Sequence, residues 1–157
     1  MDSNSLFLEK ACELGIDSVR NNGGPFGCII VDNKTNEIVG SGNNLVTKMY
    51  DPTAHAEVVA IRNSCQNLQT HVLDNCTLYT SCEPCSMCLS AIYWSRIGKV
   101  YYCFTKEDAS KYDFADSFIY DELSKNIEDR KVTFVNIKIA DKNPFEEWKN
   151  NPDKILY

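Results

Sequence analysis

The chain has 157 residues, 43% hydrophobic and 24% charged, with a formal net charge of −6. That size suits one domain, residues 1–157, with a single modest core. The acidic balance argues against RNA or DNA as partner, since nucleic acid is held by a basic stripe and the densest basic stretch here is the pair Arg130-Lys131. A small neutral substrate fits better. No run approaches the roughly 18 apolar residues that span a bilayer. Leu6-Phe7-Leu8 is too short, and lacks the basic flank, for a signal peptide. The expectation is a cytoplasmic protein that does not engage membranes.

Phe7, Ala11, Leu14, Ile16 and Val19 recur at helical spacing, predicting a helix over Leu6 to Arg20. Asn21-Asn22-Gly23-Gly24-Pro25 breaks it, because Gly tolerates positive φ and Pro cannot continue a helical ladder. Phe26 to Val31 and Glu37 to Ser41 then read as the two strands of a hairpin about the turn Asp32–Asn36. Gly42 to Thr53 is polar and aperiodic, a loop suited to carrying binding residues. A second helix runs from Ala54 to Leu68, a strand from Cys76 to Thr80, and a third helix from Pro84 to Trp94.

Lys99 to Phe104 is rich in aromatic and β-branched side chains and reads as a strand. One or two short helices flank a loop at Phe114 within residues 106–126. Val132 to Ile139 alternates like a further strand, and Pro144 to Lys149 forms a short helix before the tail. The pattern is α/β, with about five strands.

Eight cysteines invite a disulfide framework, but such scaffolds are secreted and poor in core. Cys12, Cys28, Cys65, Cys76 and Cys103 are read instead as small buried hydrophobes. Cys85 and Cys88 differ. They stand three apart at a helix start, where unpaired N–H groups and the macrodipole favour the metal-binding thiolate. With His55 they make a three-ligand set suited to zinc, leaving a fourth position for a water whose pKa the metal lowers. Glu57, two residues past the histidine, can take that water's proton without binding the metal. The alternatives are a closed structural site with Cys82 as fourth ligand, and a redox dithiol at Cys85 and Cys88, which would leave His55 and Glu57 unexplained.

The order His55-x-Glu57…Pro84-Cys85-x-x-Cys88 is that of the zinc deaminases. With Gly23-Gly24-Pro25-Phe26-Gly27, Asp51-Pro52-Thr53-Ala54-His55-Ala56-Glu57, Leu78-Tyr79-Thr80-Ser81-Cys82-Glu83-Pro84-Cys85 and Ala91-Ile92-Tyr93-Trp94, the chain resembles the cytidine deaminase superfamily nearly end to end. Asp116-Ser117-Phe118-Ile119-Tyr120 and the terminal Tyr157 are similar to its bacterial guanine deaminase branch. The resemblance implies a three-layer α/β/α fold with a five-stranded mixed sheet. It also implies a homodimer whose C-terminal segments are exchanged, so that one chain's tail closes its partner's site.

The resemblance further implies zinc on His55, Cys85 and Cys88, with Glu57 as proton shuttle. Asn44 and the Ala56 backbone would make polar contacts to a purine, and Phe26 and Trp94 would supply apolar and stacking surface. Asp116 would bind the purine's amino edge and aid proton transfer, and Tyr157 would close the pocket. Structural readings stand beside these: Asn44 as a turn residue, Asp116 as a helix cap, the aromatics as core. Ser86 and Ala115 depart from the branch, which often carries Pro and a second acid there. The activity implied is hydrolysis of guanine to xanthine and ammonia. The rivals are a guanosine deaminase, a tRNA adenosine deaminase, and a zinc-stabilised binding module.

Overall fold

The computed structural model describes residues 2–157, and its contacts group the chain into two compact units, Met1–Ser117 and Phe118–Tyr157. In the first unit, helix α1 spans Ser3–Arg20 and is capped by Asp2, whose carboxylate accepts from the Ser5 N–H at 2.8 Å. Strands β1 (Gly27–Asp32) and β2 (Ile38–Asn43) form the expected hairpin. The loop that follows contains one helical turn, α2 (Val46–Met49). Then come α3 (Ala56–Leu68), β3 (Cys76–Cys82), α4 (Ser86–Trp94), β4 (Lys99–Phe104) and α5 (Lys106–Ser110).

The sheet runs in the order β2-β1-β3-β4, with β1 antiparallel to β2 and β3 and with β3 parallel to β4. A parallel pair needs a crossover, and α4 supplies it. Side chains of β1 alternate between two cores, as the two-residue period demands. Cys28 and Ile30 join Leu78 of β3, Ala56 and Ala60 of α3 and Ile92 of α4 on one face. Ile29 and Val31 join Tyr79 and Phe7 of α1 on the other. The unit is therefore a three-layer sandwich, with α1 on one face and α3 and α4 on the other.

Two expectations are corrected here. The sheet has four strands and not five, because Val132 to Ile139 forms no ladder among the described residues. Alternation gives a segment two faces, but a strand also needs a neighbour to take its backbone hydrogen bonds. Phe134, Val135 and Ile137 stay exposed. Nor are all the structural cysteines buried: Cys28 and Cys76 are, Cys12 and Cys65 are half-buried, and Cys103 is exposed on the edge strand β4.

Helix α6 (Ser117–Ser124) leads into the second unit, which adds a 3-10 turn at Ile127–Asp129 and helix α7 (Pro144–Asn150). Asn143 caps α7, its side chain accepting from the N–H groups of Phe145 and Glu146, and Pro144 occupies the first turn, where its missing N–H costs nothing. The ring of Tyr157 meets that of Trp148 edge-on at 6.4 Å. No helix among the described residues is long and apolar enough to cross a membrane.

Candidate zinc centre and substrate cavity

Two helix starts converge on one point. His55 is the N-cap of α3 and Cys85 the N-cap of α4, and neither side chain is spent on capping its helix. Both are free to turn to a common centre, which Cys88, in the first turn of α4, also faces. His55 Nδ1 lies 3.5 Å from Cys85 Sγ and 3.6 Å from Cys88 Sγ. All three ligand atoms fall within 4.8 Å of one another. A tetrahedral ion with Zn–S near 2.3 Å and Zn–N near 2.05 Å has an N···S edge of about 3.6 Å. The donor set and its spacing fit zinc.

The fourth-ligand reading of Cys82 does not hold. It ends β3, where its thiol donates to the Thr105 carbonyl at 3.6 Å, and it lies outside the ligand group. Three protein ligands are the arrangement of a catalytic zinc site, which keeps a position open.

The charges of the site are tightly linked. Among the protein groups alone, Cys85 is held down to about 4, chiefly by the Cys88 thiol and then by His55. Cys88 is pushed up by its bond to Cys85 and by burial, so the two sulfurs share one proton. The Cys85 sulfur in turn raises His55. A cation is the natural replacement for those protons, since a metal binds thiolates and a neutral imidazole.

Glu57, in the first turn of α3, is 5% exposed. Its Oε2 is 3.3 Å from Cys88 Sγ, beside the ligand set, and its Oε1 accepts from Thr80 Oγ1 at 2.9 Å. Burial pushes its carboxyl above the ordinary range, against the opposing pull of those two donors. Thr80, wholly buried on β3, was not legible as part of the site. It belongs to a strand, and its register beneath α3 follows only from the pairing of β3 with β1.

In front of His55, Glu57 and Cys85 opens a cavity of about 560 Å³, whose walls include Phe26, Asn44, Phe114 and Asp116. Asn44 Oδ1 accepts from the Val46 N–H at 3.1 Å, so the residue does cap its own turn. Among the described residues no protein acceptor takes its Nδ2. Phe26 packs edge-on against Phe114 at 5.0 Å. Glu83 and Lys106 also reach the cavity, paired at 3.6 Å; Glu83 stands beside the Pro84-Cys85 motif, but neither residue was assigned to the site. Ala56 is fully buried behind the wall as the first residue of α3, with no intrahelical acceptor for its N–H. Trp94 is not brought to the cavity: it ends α4 and is 70% exposed. Tyr157 belongs to the second unit and is exposed.

Residues 1–104 match the cytidine and deoxycytidylate deaminase zinc-binding region. The chain belongs to that family of zinc enzymes. Along its whole length it is 45% identical to guanine deaminase of Bacillus subtilis, over 99% of both chains. The X-ray structure of the B. subtilis guanine deaminase superposes with a TM-score of 0.92 over 98% of each chain. Similarity to the tRNA-specific adenosine deaminase of Haemophilus influenzae is 49%, but over 48% of this chain and 43% of that one. Guanine deaminase from Nitrosomonas europaea is 27% identical with a TM-score of 0.67, covering 69% of this chain and 63% of that one.

Proposed function

We propose that the chain hydrolyses guanine to xanthine and ammonia. The observation that carries this reading is the cavity, in which His55, Glu57 and Cys85 share walls with Asn44, Phe26 and Asp116. At about 560 Å³ it has the size of a small-molecule site. The 45% identity to a guanine deaminase over 99% of the chain, against 34% to a tRNA-specific adenosine deaminase over 84% of it, points the same way. So does the net charge of −6, which disfavours RNA and a membrane surface as partners and suits a cytoplasmic enzyme acting on a free base.

When held by His55, Cys85 and Cys88, zinc acidifies a water toward neutrality. Glu57 takes the proton of the attacking water on Oε2, passes it to a ring nitrogen of the purine, and then protonates the departing amine. Its burial raises its basicity toward the working pH, as a group that both accepts and donates requires. Thr80 holds the other carboxylate oxygen. Asn44 offers Nδ2 to a purine acceptor, with its own Oδ1 anchored on Val46. Asp116 binds the exocyclic amino group. Phe26 covers one side of the ring, steadied by Phe114, and the Ala56 N–H supplies a fixed dipole.

The working form is a homodimer with exchanged C-terminal segments. Val132, Phe134, Val135, Ile137 and Ile139 are each more than half exposed in the single chain, and an apolar surface of that extent calls for a cover. Tyr157 would then close the partner's cavity. Trp94, exposed on α4, takes a contact role only in such an assembly.

Ammonia release from guanine, guanosine, adenine and cytosine by zinc-loaded protein tests the substrate. Release from guanine alone supports the reading, and turnover of guanosine but not guanine overturns it. Mixing Glu57→Ala chains with Tyr157→Ala chains tests the exchange. Activity returns in mixed dimers if one site draws the two residues from different subunits, and stays absent if it does not.

A further inference from the structure

We propose that Cys12 and Cys103 form a redox-modification site, a surface dithiol that closes to an intramolecular disulfide when met by a low-molecular-weight disulfide. The two residues are 91 positions apart in sequence, yet their sulfurs lie 3.5 Å from one another. Cys12 sits on α1 and Cys103 on the edge strand β4, two elements that pack together. A covalent S–S bond is about 2.05 Å long, so closure asks the sulfurs to approach by about 1.5 Å. A side-chain rotation is of that size.

No other role occupies this pair. Neither belongs to the ligand group of His55, Cys85 and Cys88. Their thiols are accessible, Cys103 exposed and Cys12 half-buried, whereas Cys28, Cys76, Cys82 and Cys88 are buried. The Cys12 S–H donates to Cys103 Sγ, and Cys103 is the more exposed of the two. Burial and that same bond push the Cys12 thiol up to about 12. Cys103 is therefore the entry point and Cys12 the resolving partner.

The exchange balances in two steps. The Cys103 thiolate attacks one sulfur of the small disulfide, forming a mixed disulfide and expelling one small thiolate, which takes up the proton Cys103 has lost. The Cys12 sulfur, giving up its proton, then attacks Cys103 Sγ and expels the second small thiol. The protein loses two protons and two electrons, and the small disulfide is reduced to two thiols. Cys12 also lines an apolar groove of about 940 Å³ that shares Gly23, Gly24, Phe26, Ala109 and Phe114 with the catalytic cavity. The crosslink would thus pin α1 to β4 beside the substrate's wall.

The chemistry does not depend on which base is deaminated, so its test needs no activity. Folded, zinc-loaded protein is exposed to oxidised glutathione, quenched by alkylation, and mapped by mass spectrometry without reduction. The expected product is lighter by two hydrogens, carries two fewer alkylated thiols, and yields Cys12 and Cys103 peptides joined to each other. Dithiothreitol reverses it. Cys12→Ser should stop at glutathione on Cys103, and Cys103→Ser should form neither product. A lasting glutathione adduct on Cys103 of the unaltered chain with Cys12 still free would overturn the assignment. So would a native chain that stays fully reduced at both positions.

Discussion

Gly42 lies on β2 where α3 crosses it, and a Cβ built there would stand 2.6 Å from the Ala56 carbonyl oxygen and 2.7 Å from the Ala60 N–H nitrogen. Both are backbone atoms, so no side chain can swing aside. Ordinary contact begins at 3.4 Å, and the first turn of α3 must lift by about 0.8 Å in Gly42→Ala. That turn carries Glu57 and follows His55, while the two sulfur ligands ride on α4. A shift of that size takes the N···S edges from 3.5 and 3.6 Å well beyond the roughly 0.2 Å tolerance of a metal site. The expected losses are about 10- to 100-fold in zinc affinity and, at saturating zinc, about 100-fold in kcat. Overpacking adds a stability cost of about 1–3 kcal/mol.

Gly40→Ala supplies the control. It overpacks the same helix farther along, against the Ser64 backbone nitrogen at 2.7 Å. It should therefore lower Tm comparably while sparing zinc affinity and kcat far more. Gly98→Ala, with nothing within 4 Å of its Cβ, should change none of the three. The assays are chelator competition for zinc, ammonia release and thermal unfolding. Native zinc affinity and kcat in Gly42→Ala, or equal damage to the site in Gly40→Ala, would refute the claim that this glycine sets the height of α3 over the sheet.

Thr80→Val removes the donor to Glu57 Oε1 with little change in shape; a hydrogen bond to a charged group contributes about 1.5–3 kcal/mol, so kcat should fall roughly 10- to 150-fold with KM little changed, and Thr80→Ser should recover most of it in steady-state assays. Glu57→Gln should abolish ammonia release while one zinc per chain remains by metal analysis. Because burial raises the folded-state pKa of Glu57 above its ordinary 4.5, the stability it contributes is complete below that pH and lost as pH rises through the raised value. Metal-free Glu57→Gln should therefore melt above the native chain at neutral pH and show no such advantage below about pH 4.5, read from Tm against pH. Cys82→Ser should keep its zinc and Cys85→Ser should lose it, and loss of zinc from Cys82→Ser as well would revive a closed site.

Much of this site was legible because it depends on local rules. His55, Glu57, Cys85 and Cys88 each stand at a helix start that capping and composition announce, and the ligand chemistry of imidazole and thiolate follows from residue type. The helices apart from α2, the hairpin and strands β3 and β4 emerged from periodicity and turn residues, within a few positions of their observed ends. Tertiary structure decided what depends on a neighbour. The alternating segment Val132 to Ile139 has the side-chain pattern of a strand but no ladder among the described residues, since pattern chooses a face and only a paired edge satisfies a backbone. Thr80 beneath Glu57, Glu83 beside Lys106, and Cys12 against Cys103 are contacts between elements distant in sequence, set by sheet register and by how closely helices pack on it. Trp94 carries the same lesson in reverse: an aromatic near a metal motif in sequence, turned outward because α4 ends with its other face in the core.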